Sequence, residues 1–173
     1  MTDLPGKPTS ASRTTLSHIM THNDVNLLGT VHGGVIMKLV DDAAGAVAGR
    51  HSGGPAVTAS MDEMVFLEPV KVGDLVHVRA QVNWTGRTSM EIGVLVLAER
   101  WNEATPPTRV GTAYLVFTAV DEQGRPRPVP PVIPENERDR RRYQEAQIRR
   151  THRLARRREI LELRKQRPGE SAG

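Results

Sequence analysis

The sequence lacks cysteine altogether and has only two Trp, two Tyr and two Phe among its 173 residues. The lack of thiols excludes disulfide frameworks, thiolate nucleophiles and cysteine zinc sites, and is compatible with a reducing compartment. With so few rings, the core must consist of Val, Leu, Ile, Ala and Met. No apolar run approaches the roughly 20 residues that cross a bilayer, and residues 1–13 lack the apolar centre of a signal peptide. These absences predict a globular, cytoplasmic protein without membrane insertion.

The excess of positive charge belongs to one end of the chain. The formal net charge is +4, yet residues 1–134 carry 11 basic and 13 acidic residues, whereas residues 135–173 carry 13 and 7. The basic segment contains one aromatic residue, Tyr143, and no DNA-binding motif. No nucleic-acid partner is therefore expected for the body of the chain.

Composition divides the chain into four segments. Residues 1–13 are predicted to form a disordered leader, and residues 14–123 a folded domain. Residues 124–134 are rich in proline, which is typical of an extended exit from a last strand. Residues 135–173 are rich in Arg and Glu, which predicts a solvated helical or disordered tail.

Hydrophobic periodicity predicts one helix and about five strands within the domain. Apolar residues recur at helical spacing from Val35 to Gly49. Residues 76–83 alternate between apolar and polar, which is typical of a half-solvated antiparallel strand. The predicted strands cover residues 14–21, 57–64, 74–84, 89–101 and 109–121. One helix together with a meander of strands indicates an α+β fold in which the sheet packs on the helix.

The entrance of the predicted helix carries two adjacent glycines, Gly33 and Gly34. Backbone N–H groups in the first turn of a helix have no intrahelical partner and lie at the positive end of the helix dipole. A glycine pair lets a substrate approach these donors, which suits an oxyanion, a phosphate or a polarised carbonyl. Taken alone, the pair is equally typical of a loop that merely begins a helix.

Asp41 is the best candidate for a catalytic carboxylate. On a helical projection it lies just past the edge of the apolar face and beside small residues, so that a ligand or another chain can reach it. Such surroundings partly desolvate a carboxylate and suit it to act as a base. Asp42 projects about 100° further round the helix and is interpreted as a solvated charge.

The spacing of these residues predicts a site shared between subunits. Gly34 and Asp41 are about 10.5 Å apart along a straight helix. Oxyanion donors and a base that serve one carbonyl must each lie about 3 Å from the reacting groups. If both are catalytic, the helix entrance of one subunit should face Asp41 of another in a symmetric dimer.

An ordered series of motifs resembles the acyl-CoA thioesterase branch of the hotdog-fold superfamily. The series begins with Asp-x-Asn-x-x-Gly-x-x-His-Gly-Gly at residues 24–34 and continues with Lys-Leu-x-Asp on the helix and Val-Thr-Ala-Ser at residues 57–60. Residues 65–74 and 88–92 extend the resemblance, which covers residues 14–121. It implies a long central helix wrapped by a curved antiparallel sheet, and hydrolysis of acyl-CoA to a free fatty acid and CoA. It also implies homodimers that assemble into hexamers, as trimers of dimers.

The resemblance assigns roles residue by residue. Asn26 matches the asparagine that helps hold the thioester or the attacking water, and Asp41 matches the catalytic carboxylate. Gly33 and Gly34 match the glycines whose N–H groups polarise the thioester carbonyl. The sequence leaves open whether Asp41 is a general base or a nucleophile. No cofactor is expected, because CoA is part of the substrate.

The turn at residues 85–89 is a candidate for CoA binding. Arg87, Thr88 and Ser89 offer a cation and two hydroxyl groups, which suit a pyrophosphate or a 3′-phosphate. A plain hairpin turn is the alternative. His18 and His22 lie four residues apart but belong to no metal-binding motif, so no metal site is predicted.

Two other functions remain open at this level. One is a different hotdog enzyme, such as a dehydratase or a thioesterase that acts on carrier-protein thioesters. A hydratase-type site would be expected to present a His or a second acidic residue in place of the Asn26 and Asp41 pair. The other is a non-enzymatic acyl-CoA sensor whose basic tail contacts nucleic acid, and the composition of the tail argues against it.

Overall fold

The structure, a computed structural model, describes residues 4–166. In chain order the elements are β1 (Lys7–Pro8), β2 (Thr14–Ile19), α1 (Gly33–Ser52), β3 (Ala56–Phe66), β4 (Asp74–Thr85), β5 (Ser89–Arg100), β6 (Thr108–Ala119), β7 (Val132–Ile133) and α2 (Glu137–Gln166). The predicted helix and all five predicted strands are therefore confirmed. Each differs from its predicted bounds by no more than three residues at either end.

The main sheet is antiparallel and has the strand order β2-β4-β5-β6-β3. Strand β3 follows α1 in the chain, yet it pairs with β6 on the far side of the sheet, from Ala56 opposite Ala119 to Phe66 opposite Gly111. Its register shifts between Thr58 and Ser60 and between Met61 and Glu63. Such bulges bend a strand and interrupt its pairing. As an edge strand, β3 pairs on one side only among the strands of residues 4–166.

The core lies between α1 and the face of the sheet that the helix covers. Val40 and Val47 of α1 are fully buried, as is the inward-facing Val76 of β4. The same strand contradicts one expectation, because its outward-facing residues Gln81 and Asn83 are buried as well, at 6% and 3% exposure. The reason is that α2 lies across the outer face of the sheet, so the second half of β4 is covered on both sides.

Helix α1 begins and ends with distinct caps. At its N-terminus, His32 Nδ1 accepts a hydrogen bond from the Gly34 N–H at 2.9 Å. At its C-terminus, Gly53 has φ +72°, a left-handed conformation that suits glycine. Lys7 Nζ donates to the His51 carbonyl oxygen at 2.8 Å. An Arg127 guanidinium nitrogen donates to the Ser52 carbonyl oxygen at 2.9 Å. The two cations stabilise the negative end of the helix dipole.

The expectation of a disordered leader is wrong for the part that the structure describes, residues 4–13. Strand β1 pairs in parallel with β7, which lies in the proline-rich segment. A short 3₁₀ turn follows at Thr9–Ala11. Thr9 and Ser12 are each 1% exposed. The leader and the proline-rich segment therefore stabilise each other through long-range contacts that composition does not reveal; residues 1–3 lie outside the described residues.

The basic tail forms a helix whose first half packs against the sheet. An Arg149 guanidinium nitrogen lies 2.7 Å from a Glu91 oxygen, and the Glu91 side chain is 2% exposed. Arg153 forms an ion pair with Asp62 of β3. Beyond Arg153 the described helix residues are exposed. The prediction of a solvated helix is thus correct only for the distal half of α2, because buried carboxylates anchor the proximal half. Among residues 4–166, no helix is long and apolar enough to span a membrane.

Candidate active site

Asp41 is half-buried near the middle of α1, and one of its oxygens has a partner from the sheet. Thr58 of β3 donates its hydroxyl hydrogen to Asp41 Oδ1 at 2.7 Å. The bond orients the carboxylate, and Oδ2 has no hydrogen-bond partner among residues 4–166. Asp42 instead forms an exposed ion pair with Lys38 at 2.7 Å, which confirms its interpretation as a solvated charge.

Thr58 was not predicted as a site residue. Its only sequence signal is its place in the Val-Thr-Ala-Ser segment, which contributes to the family resemblance without a role. Periodicity along β3 cannot show which of its residues meets α1, since that contact joins residues 17 positions apart. The register of β3 beside β6 and its bulge next to Thr58 decide the contact.

Asn26 organises the loop that precedes α1. Its side-chain oxygen accepts from the N–H groups of Leu28, at 2.8 Å, and Thr30, at 3.3 Å. Its Nδ2 donates to the Thr30 hydroxyl oxygen at 2.9 Å, which leaves the second N–H of that amide for a ligand. Gly29, with φ +77°, completes the turn. The side chains of Leu27 and Leu28 are almost fully exposed beside Asn26.

The same loop is tied down on its other side by Asp24. The Asp24 carboxylate accepts from both the N–H and the hydroxyl group of Thr21. These hydrogen bonds lower the pKa of Asp24, and the bond from the Thr21 N–H has the largest effect. The Asp24 carbonyl oxygen accepts from the His32 N–H at 2.7 Å. The loop that carries Asn26 is thereby joined to the helix entrance.

The helix entrance offers one free donor. The Gly34 N–H is engaged by His32 Nδ1, whereas the Gly33 N–H has no acceptor among the residues that the structure describes. Gly33 lines an open pocket of about 350 Å³ together with Ile36, Phe66 and neighbouring apolar residues. A Cβ at Gly33 would lie 3.3 Å from the Phe66 ring, so glycine keeps this approach open.

The turn with Arg87, Thr88 and Ser89 joins β4 to β5. The Gly86 N–H donates to the Ser89 carbonyl oxygen at 2.8 Å. Ser89 pairs with Thr118 of β6, and Thr118 pairs with Val57 of β3. Two strand spacings of about 4.8 Å therefore separate the turn from the segment that carries Thr58.

The structure sorts the predicted site residues into two groups within one chain. Asp41 and the turn at residues 87–89 lie towards the beginning of β3, where Thr58 is located. Asn26, Gly33 and Gly34 lie at the entrance of α1, beside Phe66 at the end of β3. One chain thus holds the candidate residues in two separate groups. No group of three potential metal ligands occurs within residues 4–166.

Comparisons with known proteins decide the family. The Thioesterase superfamily model matches residues 28–103. The acyl-CoA hydrolase of Staphylococcus aureus, solved in complex with butyryl-CoA, CoA and CoA disulfide, is 33% identical and superposes with a TM-score of 0.85 over 92% of this chain and 96% of that chain. The chain belongs to the thioesterase superfamily. Its long helix and five-stranded antiparallel sheet are the hotdog fold.

Other thioesterases extend the comparison. Cytosolic acyl coenzyme A thioester hydrolase of Mus musculus is 36% identical over 137 residues, which are 79% of this chain and 36% of the mouse protein. The chain therefore spans about a third of that relative's length. An apo-hexameric acyl-CoA thioesterase is 35% identical, with a TM-score of 0.85 over 88% of this chain and 97% of its own.

The structural match also corrects the expected extent of the resemblance. A match to 92% of this chain cannot be confined to residues 14–121. Helix α2 is therefore part of the architecture that the chain shares with the Staphylococcus aureus enzyme.

Proposed function

We propose that this chain hydrolyses acyl-CoA to a free carboxylic acid and CoA. One observation carries the proposal. Structures of the Staphylococcus aureus acyl-CoA hydrolase include alanine variants of an asparagine, an aspartate and a threonine, and the asparagine variant was solved with CoA. In the Staphylococcus aureus sequence, those three residues are separated by the same numbers of positions as Asn26, Asp41 and Thr58 are in this chain.

The carboxylate of Asp41 is the reactive group of the proposed site, as a general base or as a nucleophile. As a general base, Asp41 Oδ2 accepts a proton while the water oxygen bonds to the thioester carbon. The C–S bond then breaks, and the proton passes to the departing CoA sulfur. As a nucleophile, the same oxygen attacks the carbon directly, the C–S bond breaks and CoA leaves as a thiolate that takes up a proton. Water then cleaves the resulting acyl-aspartyl anhydride to the free acid and the regenerated Asp41 carboxylate. Thr58 positions the carboxylate in either route.

The helix entrance stabilises the negative charge that develops on the thioester oxygen. The Gly33 N–H is free to donate, and it lies at the positive end of the α1 dipole. The Gly34 N–H joins it when it exchanges its bond to His32 for one to the substrate. Asn26 contributes its remaining amide N–H to the thioester or to the water. The apolar pocket beside Gly33 accepts acyl-chain or pantetheine carbons.

The two groups of candidate residues come together between subunits of a homodimer, so that each group is one half-site of a complete active site. About 12 Å of helix separates Gly33 from Asp41, which is too far for both to act on one bond. The unpaired edge of β3 supports a sheet that continues into a second subunit. Leu27 and Leu28, 106% and 87% exposed, suit burial against that subunit. We further propose a hexamer of three dimers, by analogy with the hexameric relative.

We also propose that Arg87, Thr88 and Ser89 contact the phosphates of CoA, since this turn and Asp41 both lie towards the beginning of β3. The enzyme would need no cofactor. We propose a cytosolic location by analogy with the name of the mouse relative, and a role in lipid metabolism because the proposed substrate is acyl-CoA.

A hydrolysis screen tests the proposal. Acyl-CoAs of graded chain length are incubated with the purified chain, and released thiol is measured against a no-enzyme control. We expect turnover of at least one chain length and its loss in the Asp41→Asn variant. If no acyl-CoA is hydrolysed by the oligomeric chain, or if the variant is equally active, the proposed function is wrong.

A further inference from the structure

Two bulges bend β3 beside Thr58. The register of β3 along β6 passes over Ala59 and again over Asp62, so neither residue has a partner on β6. Thr58, Met61 and Met64 nevertheless all face α1, since Thr58 donates to the candidate catalytic carboxylate and both methionines pack against the core. In a regular strand, residues three positions apart face opposite sides. Thr58 therefore shares a face with Met61 only because the bulge at Ala59 lies between them.

Backbone pairing alone holds this bulged segment loosely. A bulged residue is left out of the hydrogen-bond ladder, and β3 pairs with one strand only among the strands of residues 4–166. Side-chain bonds on the outer face of the sheet supply a further tie. Asp62 Oδ1 accepts from the Ser60 hydroxyl group at 3.1 Å, and Asp62 Oδ2 forms the ion pair with Arg153 of α2.

The ion pair between Asp62 and Arg153 is shielded from solvent. The Asp62 side chain is 10% exposed and the Arg153 side chain 20%. Partly buried charges are screened much less than exposed ones, and removal of one partner leaves the other charge uncompensated. Asp62 therefore fastens the bulged segment to α2 more firmly than an exposed pair could.

We propose that Asp62 is a positioning residue of the active site: by joining the bulged segment of β3 to Arg153 of α2, it keeps Thr58 opposite Asp41. Asp62 contacts the helix on the far side of the sheet from α1, so it acts only through Thr58. This role rests on the proposed hydrolase function. A misplacement of about 1 Å can lower a rate by about 10²-fold. A loosened β3 should therefore slow the chemical step and leave substrate binding nearly unchanged.

The kinetics of two single variants test the proposal. Asp62→Ala removes both side-chain bonds, and Arg153→Met removes only the bond to α2. We expect kcat to fall at least about fivefold in each, with KM changed by less than about twofold. Glu63→Ala is the matched control, because it removes an exposed carboxylate from the next position of β3 and should leave kcat within about twofold. Equal kcat in Asp62→Ala and Glu63→Ala, or a change confined to KM, would overturn the proposal.

A double variant shows whether Asp62 acts through Thr58. Thr58→Val already removes the hydrogen bond that Asp62 is proposed to maintain, so adding Asp62→Ala should lower kcat by less than a further factor of about two. If the two losses multiply, Asp62 acts independently of Thr58 and the proposal is wrong. Rates are compared at a temperature at which circular dichroism shows every variant folded. Should Asp62→Ala not fold, Arg153→Met takes its place in the same cycle.

A crystal structure of Asp62→Ala separates a failure of this role from a failure of the hydrolase function. We expect the Thr58 hydroxyl oxygen to lie more than about 3.5 Å from Asp41 Oδ1, and a distance still near 2.7 Å would overturn the positioning role. If the unmodified chain hydrolyses no acyl-CoA, the proposed function fails, and the structure still decides whether Asp62 positions Thr58. If the unmodified chain and Asp62→Ala are equally active, only the positioning role fails.

Discussion

The Thr58 hydroxyl group lies 2.7 Å from Asp41 Oδ1 and donates to it across the contact between an edge strand and the central helix. Thr58 is exposed and Asp41 half-buried within one chain, so the pair faces a surface that a substrate or a second subunit can reach. The bond holds the carboxylate in one orientation without supplying a positive charge. The other carboxylate oxygen, Oδ2, has no hydrogen-bond partner among residues 4–166, and either catalytic route requires an oxygen of this kind.

Replacing Asp41 by Asn should abolish most of the activity while the chain stays folded. The amide has nearly the same shape and still accepts from Thr58, but it cannot take up a proton or attack. Loss of a general base lowers kcat by about 10²–10⁴-fold. Released thiol measures the rate, and circular dichroism with size-exclusion chromatography checks fold and assembly. Asp42→Asn is the matched control and should retain near-normal kcat; similar rates for both variants would contradict the assignment.

Replacing Thr58 by Val should lower kcat/KM by about tenfold. Valine keeps the shape and the strand propensity, and only the hydrogen bond to the carboxylate is lost, which is worth about 1.5 kcal/mol. Thr58→Ser restores the hydroxyl group and should recover most of the activity. If Ser is as slow as Val, then packing of the methyl group, and not the hydrogen bond, explains the loss.

Mixing two inactive variants should restore activity if the site is shared. Asn26→Ala damages one half-site and Asp41→Ala the other, so a mixed dimer contains one intact site and one doubly damaged site. Subunits are exchanged, exchange is verified with differently tagged chains, and turnover is measured. With random pairing, about half of the dimers contain one subunit of each variant, and each of these mixed dimers has one active site. The recovered rate should therefore approach a quarter of the wild-type rate, and no recovery after verified exchange would show that the site lies within one chain.

Replacing Arg149 by Met should destabilise the fold by about 2–4 kcal/mol. Met keeps much of the aliphatic stem, but Glu91, 2% exposed, would lose the guanidinium that compensates its buried charge. The guanidinium also lies 3.6 Å from the centre of the Tyr114 ring. Urea unfolding gives the difference. Arg140→Met breaks an exposed pair with Glu137 and should cost less than about 0.5 kcal/mol; equal costs would mean that α2 is not anchored through Arg149.

Acidification should weaken the fold through His51. Its side chain is 0% exposed; Nε2 donates to the Pro130 carbonyl oxygen at 3.0 Å, and Nδ1 lies 3.3 Å from Ser12 Oγ. Burial lowers the pKa of His51 below its ordinary value of 6.5. As the pH falls, the unfolded chain therefore takes up a proton at His51 before the folded chain does.

The contribution of His51 to stability is complete above about pH 7 and declines as the pH falls below 6.5, by at most about 1.4 kcal/mol per pH unit. Urea unfolding between pH 7.5 and 5 measures this slope. His51→Gln should be less stable overall but should lose this component of the slope. An unchanged slope in the variant would assign the effect to other groups.

The segments of regular periodicity could be predicted from the sequence, and the contacts between them could not. Helix α1 and the alternation along β4 follow from local spacing, because apolar side chains must face one core. The candidate site residues on α1 and at its entrance could be named from the sequence, because a helical projection singles out Asp41 and the family motifs supply the roles of Gly33 and Gly34. Thr58 was missed because its role depends on which strand neighbours α1.

The tail shows the same limit. Its composition indicates solvation, since Arg and Glu are rarely buried alone. Burial becomes possible only when each charge finds an opposite partner, as Arg149 does with Glu91 and Arg153 with Asp62. Those partners lie 58 and 91 positions away along the chain, beyond the reach of any local pattern.

By itself, the sequence determined the secondary structure of the domain, the absence of thiol chemistry and the family to which the chain belongs, because each depends on residue type and short-range spacing. Only the tertiary structure decided that β3 lies beside β6, that Thr58 meets Asp41, and that α2 covers the outer face of the sheet. These features depend on pairing between distant segments, where the free energy of burial and of ion pairs is gained only once the chain is folded.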